Sequence, residues 1–455
     1  MLFYADQRQI HPGSSGEGKE QRLRWVGKKR INGAFRRKFD LATICPFFAT
    51  RPHPDLAGRI ASVPYDVVDR REAHRLAADN PHSFLHVVRA EIDFPESTSP
   101  YDDKVYAKAK TNFNNLIENG QLIRDADNTV YLYRQIMGNH AQIGLVACCL
   151  VDEYDSDLIK KHEKTRKDKE DDRTRHTLEI QANAGPVFLT YRGDPEIDRL
   201  VSDIVSKQKP LYDVTTPDKV QHTVWKVQAP QAFVTAFAPV PALYVADGHH
   251  RSASASRARA ALREQNSQHT GQENYNRFLA VMFPADQLSI LPYNRVVHDL
   301  NGLDSQAFLA RVAIVMDVQE GAKASPLSRG EYSMFLNDRW YQLKAPRRLV
   351  EANDPVERLD AAILQSQILD PLLGIDDPRT SDRIDFVGGI RGTEELEKRV
   401  RSKPGAVAFS LFPTSVDELI AVADAGLVLP PKSTWFEPKL RSGLLVHELR
   451  EFDRS

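Results

Sequence analysis

Hydrophobic and polar positions change period several times along this chain, and each change predicts an element. Residues 130–137 and 143–151 are two nearly continuous β-prone apolar runs, and Gly138-Asn139 between them predicts a hairpin. Residues 101–118 repeat apolar positions at helical spacing and end at Asn119-Gly120, which predicts an amphipathic helix with its stop signal. Ordered sequence is expected from about Cys45. Residues 59–68 predict a strand entering a Pro64-Tyr65-Asp66 turn, followed by a short helix from Asp69 and a strand over 83–88. Further on, a helix near 169–183 precedes a strand at 187–191. The apolar run Ala242-Leu243-Tyr244-Val245-Ala246 predicts a strand leading directly into Asp247-Gly248-His249-His250-Arg251 and an Ala/Arg-rich helix over 252–263. Strands and helices alternate throughout, so the predicted class is α/β, with α and β elements mixed.

Composition narrows the function classes. A chain of 455 residues, 41% hydrophobic and 27% charged, can bury a large core and is expected to divide into more than one domain. Lys and Arg number 61 against 62 Asp and Glu, so no global field recruits nucleic acid or an anionic membrane. Cys45, Cys148 and Cys149 lack C-x-x-C spacing, which argues against a structural zinc site, and the adjacent pair reads as buried thiols. With no membrane-length apolar run and no secretory leader pattern, the default location is a reducing cytoplasm. Residues 1–40 carry ten Lys/Arg against four acids and little apolar periodicity, and read as a basic disordered, dispensable extension. Within it, Gly13-x-x-x-x-Gly18-Lys19 approaches a phosphate-binding loop but has Glu20 in place of Ser/Thr and no preceding strand.

Asp247-Gly248-His249-His250-Arg251 carries the strongest chemical signal. A glycine at a strand-to-helix junction permits a sharp turn, and the free N–H groups of the helix start, with two imidazoles and a guanidinium, suit a phosphate. Gly248, His250 and Arg251 are the candidate phosphate contacts, His249 a candidate catalytic group, and Asp247 a candidate ligand for Mg²⁺ or a substrate hydroxyl. A helix cap with surface hydrogen bonds is the plainer alternative. A second cluster, Lys160-Lys161-His162-Glu163-Lys164-Thr165-Arg166, offers Glu163 as a general base, with Lys161 offsetting phosphate charge. The alternative there is a solvated charge cluster opening a helix. His-Glu-x-x-His is excluded because Arg166 stands at the second histidine position. Arg295 suits bidentate phosphate contact, or pairing with a nearby acid. Lys432, Ser433 and Thr434 follow Pro430-Pro431 on a loop suited to closing over a ligand, or to packing. Asp155-x-Asp157 hints weakly at an aspartyl-nucleophile phosphatase, although Ile159 departs from that pattern.

Five stretches together resemble a prokaryotic domain-of-unknown-function family, DUF1015: Val63-Pro64-Tyr65-Asp66-Val67, Asn80-Pro81-His82-Ser83-Phe84-Leu85, Lys161 to Arg166, Asp247 to Arg251, and Pro430-Pro431-Lys432-Ser433-Thr434-Trp435-Phe436-Glu437-Pro438-Lys439. The resemblance runs from about Pro46 to Leu444 and implies that Tyr65, Asp66, Asn80 and Ser83 reach the substrate cleft. Lys-His-Glu followed by Asp-Gly-His-His-Arg is also distantly similar to the active-site pair of free-serine kinases of the ParB/sulfiredoxin-like fold. That similarity implies Glu163 as base, Asp247 near serine or a metal, and His249, His250 and Arg251 on the transferred phosphate. It implies ATP or ADP with Mg²⁺ as cofactor and serine or O-phosphoserine as substrate. The departure is the longer stretch between the two motifs. The expected organisation is a basic extension (1–40), an N-terminal α/β region (41–155), a ParB-like phosphate-binding region (156–300), a C-terminal α/β region (301–445) and a tail (446–455). The function so implied is phosphate transfer or phosphate-ester chemistry, kinase-like or phosphoserine-phosphatase-like. A nucleotide-binding regulator without turnover and a nucleic-acid-binding module are the alternatives, the latter disfavoured by the balanced charge.

Overall fold

In a computed structural model, which describes residues 41–451, the strand His140–Leu150 lies within a nine-stranded mixed sheet. Successive strand residues face opposite sides, so Val146 and Cys148 enter one hydrophobic core while Leu145, Ala147 and Cys149 enter another. Both faces are covered, which is why the run reads as continuously apolar and why two adjacent cysteines are both buried. Burial raises all three thiols above the ordinary cysteine range. The hairpin partner Tyr131–Met137 forms as the Gly138-Asn139 signal predicts.

Across this sheet the order is Ile159–Lys160, Leu243–Asp247, Val187–Tyr191, Arg277–Pro284, His140–Leu150, Tyr131–Met137, Val220–Lys226 and Tyr212–Thr215, with Ile44–Cys45 pairing His140–Leu150 off this path. Helices Pro195–Lys207, Pro230–Phe237 and His249–Gln265 cover one face. Against the other pack later segments, including Leu419, Phe436, Leu440 and Leu444. A six-stranded sheet holds Tyr293–Val297 and the strands between 317 and 411, over its own core with Ser305–Val315. A four-stranded sheet joins Leu122–Arg124, Ala49–Pro52, Val446–Glu448 and Ala182–Asn183. The class is therefore mixed α/β. Among the described residues no helix is long and apolar enough to cross a membrane.

The expected segmentation meets this topology poorly. Strands on both sides of the boundary after 155 pair in one sheet, and Tyr293–Val297, placed before the boundary at 300, belongs to the later six-stranded sheet. The described residues form one compact unit. Nor is 446–448 tail: it is a central strand of the four-stranded sheet, with Glu448 buried and paired to Arg124 at 2.8 Å. The basic extension and its Gly13 to Lys19 stretch lie outside the described residues.

Two local expectations are corrected. Residues 59–68 form no strand: Ala57–Ile60 is a helical turn, and only Ser62 makes an isolated bridge, to Ser442, before Pro64 removes a donor. Residues 83–88 contain the helical turn Leu85–Val88, because Phe84, Leu85, Val87 and Val88 all bury against the helices Arg70–Ala77 and Asp103–Glu118, which a strand's alternation would not allow. The intervening helix begins as expected, capped by Asp69 and Glu72 reciprocally.

One buried carboxyl makes stability depend on pH. Asp360 is only 8% exposed, accepts the Gly330 N–H at 2.9 Å with one oxygen and has no partner for the other. Burial, reinforced by Glu418, pushes its pKa up to about 7 against the opposing Gly330 and Arg329. The folded state thus holds a proton that the unfolded state has released once the pH passes the ordinary carboxyl value near 4. Stability from this group is complete below that value and is lost as pH rises toward 7. Asp360→Asn is therefore expected to match wild type in thermal scans near pH 4 and to melt higher by about 2 °C or more above pH 7. A constant difference at all pH values would refute the assignment.

Candidate functional site

The strand Leu243–Asp247 pairs antiparallel with Val187–Tyr191, and its register shifts between Val245 and Asp247, leaving Ala246 as an extra residue. Such a bulge re-aims the strand end, here Asp247, toward the adjoining turn. Gly248 follows at φ 98°, and a Cβ there would stand 3.0 Å from the Arg251 guanidinium carbon, so both backbone and space require glycine. The 17-residue helix His249–Gln265 starts immediately, and its glycine N-cap leaves the first-turn N–H groups without a side-chain cap. The predicted strand, turn and helix are therefore present.

Glu163 reaches this turn. Its Oε2 lies 3.8 Å from His249 Nδ1, and the His162 ring meets the His249 ring edge-on at 4.4 Å between centroids. Asp247 pairs with Lys439 at 3.2 Å and with Arg251 at 3.8 Å. Burial favours the neutral form of both carboxyls, with different outcomes. In Glu163 burial prevails, aided by Asp247 and Asp66, and its pKa rises despite Lys432. In Asp247 the cations Lys439 and Arg251 outweigh burial and hold the carboxyl well below its ordinary range. Glu163 nonetheless keeps 44% of its side-chain surface open, accessible to a ligand.

The imidazoles do not supply the positive charge expected of them. Burial drives His249 down to about 4, lowers His250 and holds His162 far below the ordinary histidine value. All three are therefore neutral at pH 7. His249 Nε2, His250 Nδ1 and both His162 nitrogens are buried without a hydrogen-bond partner. Arg251 faces inward: it donates to the Pro186 carbonyl and lines a chamber of about 40 Å³ shared with Arg173, Tyr65 and Ser442. Arg173 stacks 4.2 Å over the Tyr65 ring and pairs with Asp172 at 2.7 Å.

Of the remaining candidates, Asp66 is exposed and acts electrostatically on Glu163, His250 and Lys439, and Lys432 acts on Glu163 and His250, so both stand near these groups. Others have local work. Lys161 donates to the Tyr154 carbonyl at 2.9 Å, pairs with Asp157 at 2.8 Å and lies over the Tyr154 ring, which turns it from phosphate ligand to a brace. Asn80 donates to the Arg59 carbonyl at 2.6 Å, and Ser83 Oγ lies 3.2 Å from Ser62 Oγ while accepting the Leu85 N–H. Ser433 closes its own turn by donating to the Pro430 carbonyl at 2.7 Å. These short polar side chains are engaged by nearby backbone and side-chain groups. Arg295 contacts the Tyr293 and Pro431 carbonyls and the Phe386 ring, outside the Asp247 cluster. Asp155 accepts from Ser256 at 2.6 Å, and Asp157 pairs with Lys161, so neither stands as a nucleophile.

Sequence reasoning assigned no role to Lys439 or Arg173. Lys439 ends the Pro-Pro-Lys-Ser-Thr-Trp-Phe-Glu-Pro-Lys stretch, the one signal that drew attention to its neighbourhood. Among the described residues no group of three or more His, Cys, Asp and Glu side chains is placed to hold a metal ion. Lys439 also occupies the flank of Asp247 that a divalent cation would need, so the residues present do not fit a protein-held Mg²⁺.

The model of the family described as "Protein of unknown function (DUF1015)" matches residues 44–362, so Lys432 and Lys439 lie beyond the match. No curated protein matches the chain. Similar solved structures include a free serine kinase in complex with ADP, 13% identical, covering 67% of this chain and 94% of that one at a TM-score of 0.34. SbnI with C-terminal truncation from Staphylococcus aureus is 14% identical, with 68% and 90% covered and a TM-score of 0.36. A conserved hypothetical protein from Pyrococcus furiosus is 14% identical, with 66% and 95% covered and a TM-score of 0.31. Likenesses this loose decide nothing about chemistry, which rests on the residues.

Proposed function

For a chain that belongs to the DUF1015 family, whose description carries no activity, we propose phosphoryl transfer involving a small hydroxyl substrate, with free serine or O-phosphoserine as the substrate class. The observation that carries this reading is the opposed pair of carboxyls at one turn: Glu163 pushed up, Asp247 held down. Environments that drive two acids apart assign one as proton acceptor and the other as a fixed charge.

Glu163 takes the proton from the attacking hydroxyl, or from water in the hydrolytic direction. The freed oxygen pair forms the new bond to phosphorus, and the leaving oxygen departs with the electrons of the bond that breaks. Asp247 stays ionised and orients the hydroxyl or amino group of the substrate. The uncapped N–H groups at the start of His249–Gln265, with Lys432 and Lys439, offset phosphate charge. Neutral His249 and His250 offer ring nitrogens for hydrogen bonds without adding charge. Arg251 holds the turn from beneath through Pro186 and Asp247.

The test is turnover by the purified full chain with L-serine plus ATP or ADP, and separately with O-phosphoserine alone, with and without Mg²⁺. Phosphate appearing on serine assigns the kinase direction, and phosphate released from O-phosphoserine assigns the hydrolytic one. Nucleotide binding seen as a thermal shift without turnover in either assay would replace this reading by that of a nucleotide-binding regulator.

A further inference from the structure

Arg295 borders a second chamber, distinct from the Asp247 cleft. It is 3% exposed, and its guanidinium donates only to the backbone carbonyls of Tyr293 and Pro431 while lying 4.8 Å over the Phe386 ring. No carboxylate among the described residues pairs with it. Buried cations are ordinarily matched by an anion, because taking a charge out of water without a counter-charge is costly. Beside Arg295 opens a cavity of about 360 Å³, within the size range of small-ligand pockets.

Charge in this chamber is unevenly placed. Lys164, Arg295 and Arg379 line it, as do Asp376 and Asp377. Asp377 is engaged by Arg379 at 2.7 Å, and Asp376 is exposed. Arg295 is therefore the buried cation of this lining, and Lys164, which is exposed, is a second one. Leu369, Val428 and Pro430 form apolar wall. We propose that this chamber binds a phosphoryl dianion carried on a small apolar body, the phosphoryl group held by Arg295 and Lys164. Two cations suit a dianion better than a single carboxylate, and the guanidinium fork matches phosphoryl oxygens. The chamber also abuts the cleft through two loops: Lys164 follows Glu163, and Pro431 precedes Lys432. A ligand seated here touches both segments that carry the cleft's exposed charges.

The proposal stands apart from the phosphoryl-transfer reading, and calorimetry with phenyl phosphate and inorganic phosphate separates them. In the Arg251→Ala protein, where the first site is weakened, phenyl phosphate is expected still to bind, and adding Arg295→Met should raise its Kd by at least about 10-fold. Lys164→Ala, at an exposed position that does not threaten folding, should raise it by about 5-fold. Complete loss of binding in Arg251→Ala alone, or unchanged affinity in both Arg295→Met and Lys164→Ala, would overturn the site. Equal affinity for inorganic phosphate would overturn its apolar half and assign the chamber to free phosphate.

Discussion

Replacing Glu163 by Gln is expected to slow turnover by about 10²–10⁴-fold while KM stays near its wild-type value. The amide keeps the size and hydrogen-bonding reach of the carboxylate, so a bound ligand is barely disturbed. What disappears is the capacity to accept a proton as the nucleophile attacks, which matters only in the transition state. Because burial together with Asp247 and Asp66 raises the Glu163 pKa, the ascending limb of the wild-type pH–rate profile should lie above the ordinary glutamate range. Activity rises as Glu163 loses its proton, and that limb should be missing from the residual activity of Glu163→Gln. Full turnover in the variant would return residues 160–166 to a solvated charge cluster.

Arg251→Ala is expected to act on binding and stability instead. The arginine donates to the Pro186 carbonyl, stands 3.8 Å from Asp247 and packs against Gly248, so one side chain fixes both ends of the turn. Its removal strands a buried carbonyl, at a cost of about 1–3 kcal/mol, and enlarges the chamber beneath. Asp247 also loses one of the two cations that keep it ionised, so its pKa should climb. We expect phosphate-ligand affinity to drop by about 10–100-fold with a lowered melting temperature. Arg251→Lys keeps the charge but cannot span both partners, and should restore only part of the affinity. Wild-type affinity and melting temperature in Arg251→Ala would show that the turn needs no strut.

Elements whose signal is local were legible in the sequence. Gly138-Asn139 marks its hairpin and the Ala242 to Arg251 stretch its strand-turn-helix, because turn chemistry and apolar period agree there. Residues 83–88 misled because a short apolar run fits strand and helix equally, and only packing against Asp103–Glu118 decides. The strand-turn-helix at Asp247, Gly248 and His249 was legible where backbone presents it, and the structure brings Glu163 to 3.8 Å from His249. Asn80, Ser83, Lys161 and Ser433 hydrogen-bond within their own neighbourhoods, partners the sequence does not display, because polar side chains beside turns are most often engaged by those turns. Lys439 was invisible because its partner lies 192 residues away. The charge of the histidines was equally hidden, since sequence gives residue type and burial sets protonation.

The strand Val446–Glu448 has a consequence during synthesis. Ala49–Pro52 waits for it as a sheet partner, and Thr50 meets Glu448 across 398 residues of chain. A ribosome must therefore deliver this late strand before that early strand edge is covered, and until then it offers unpaired N–H and C=O groups to any neighbouring chain. Lys439 emerges only shortly before that strand, so its ion pair with Asp247 also forms late. A nascent chain stalled before both would expose an open edge and leave Asp247 without Lys439, tying the assembly of these charges to the closure of that sheet.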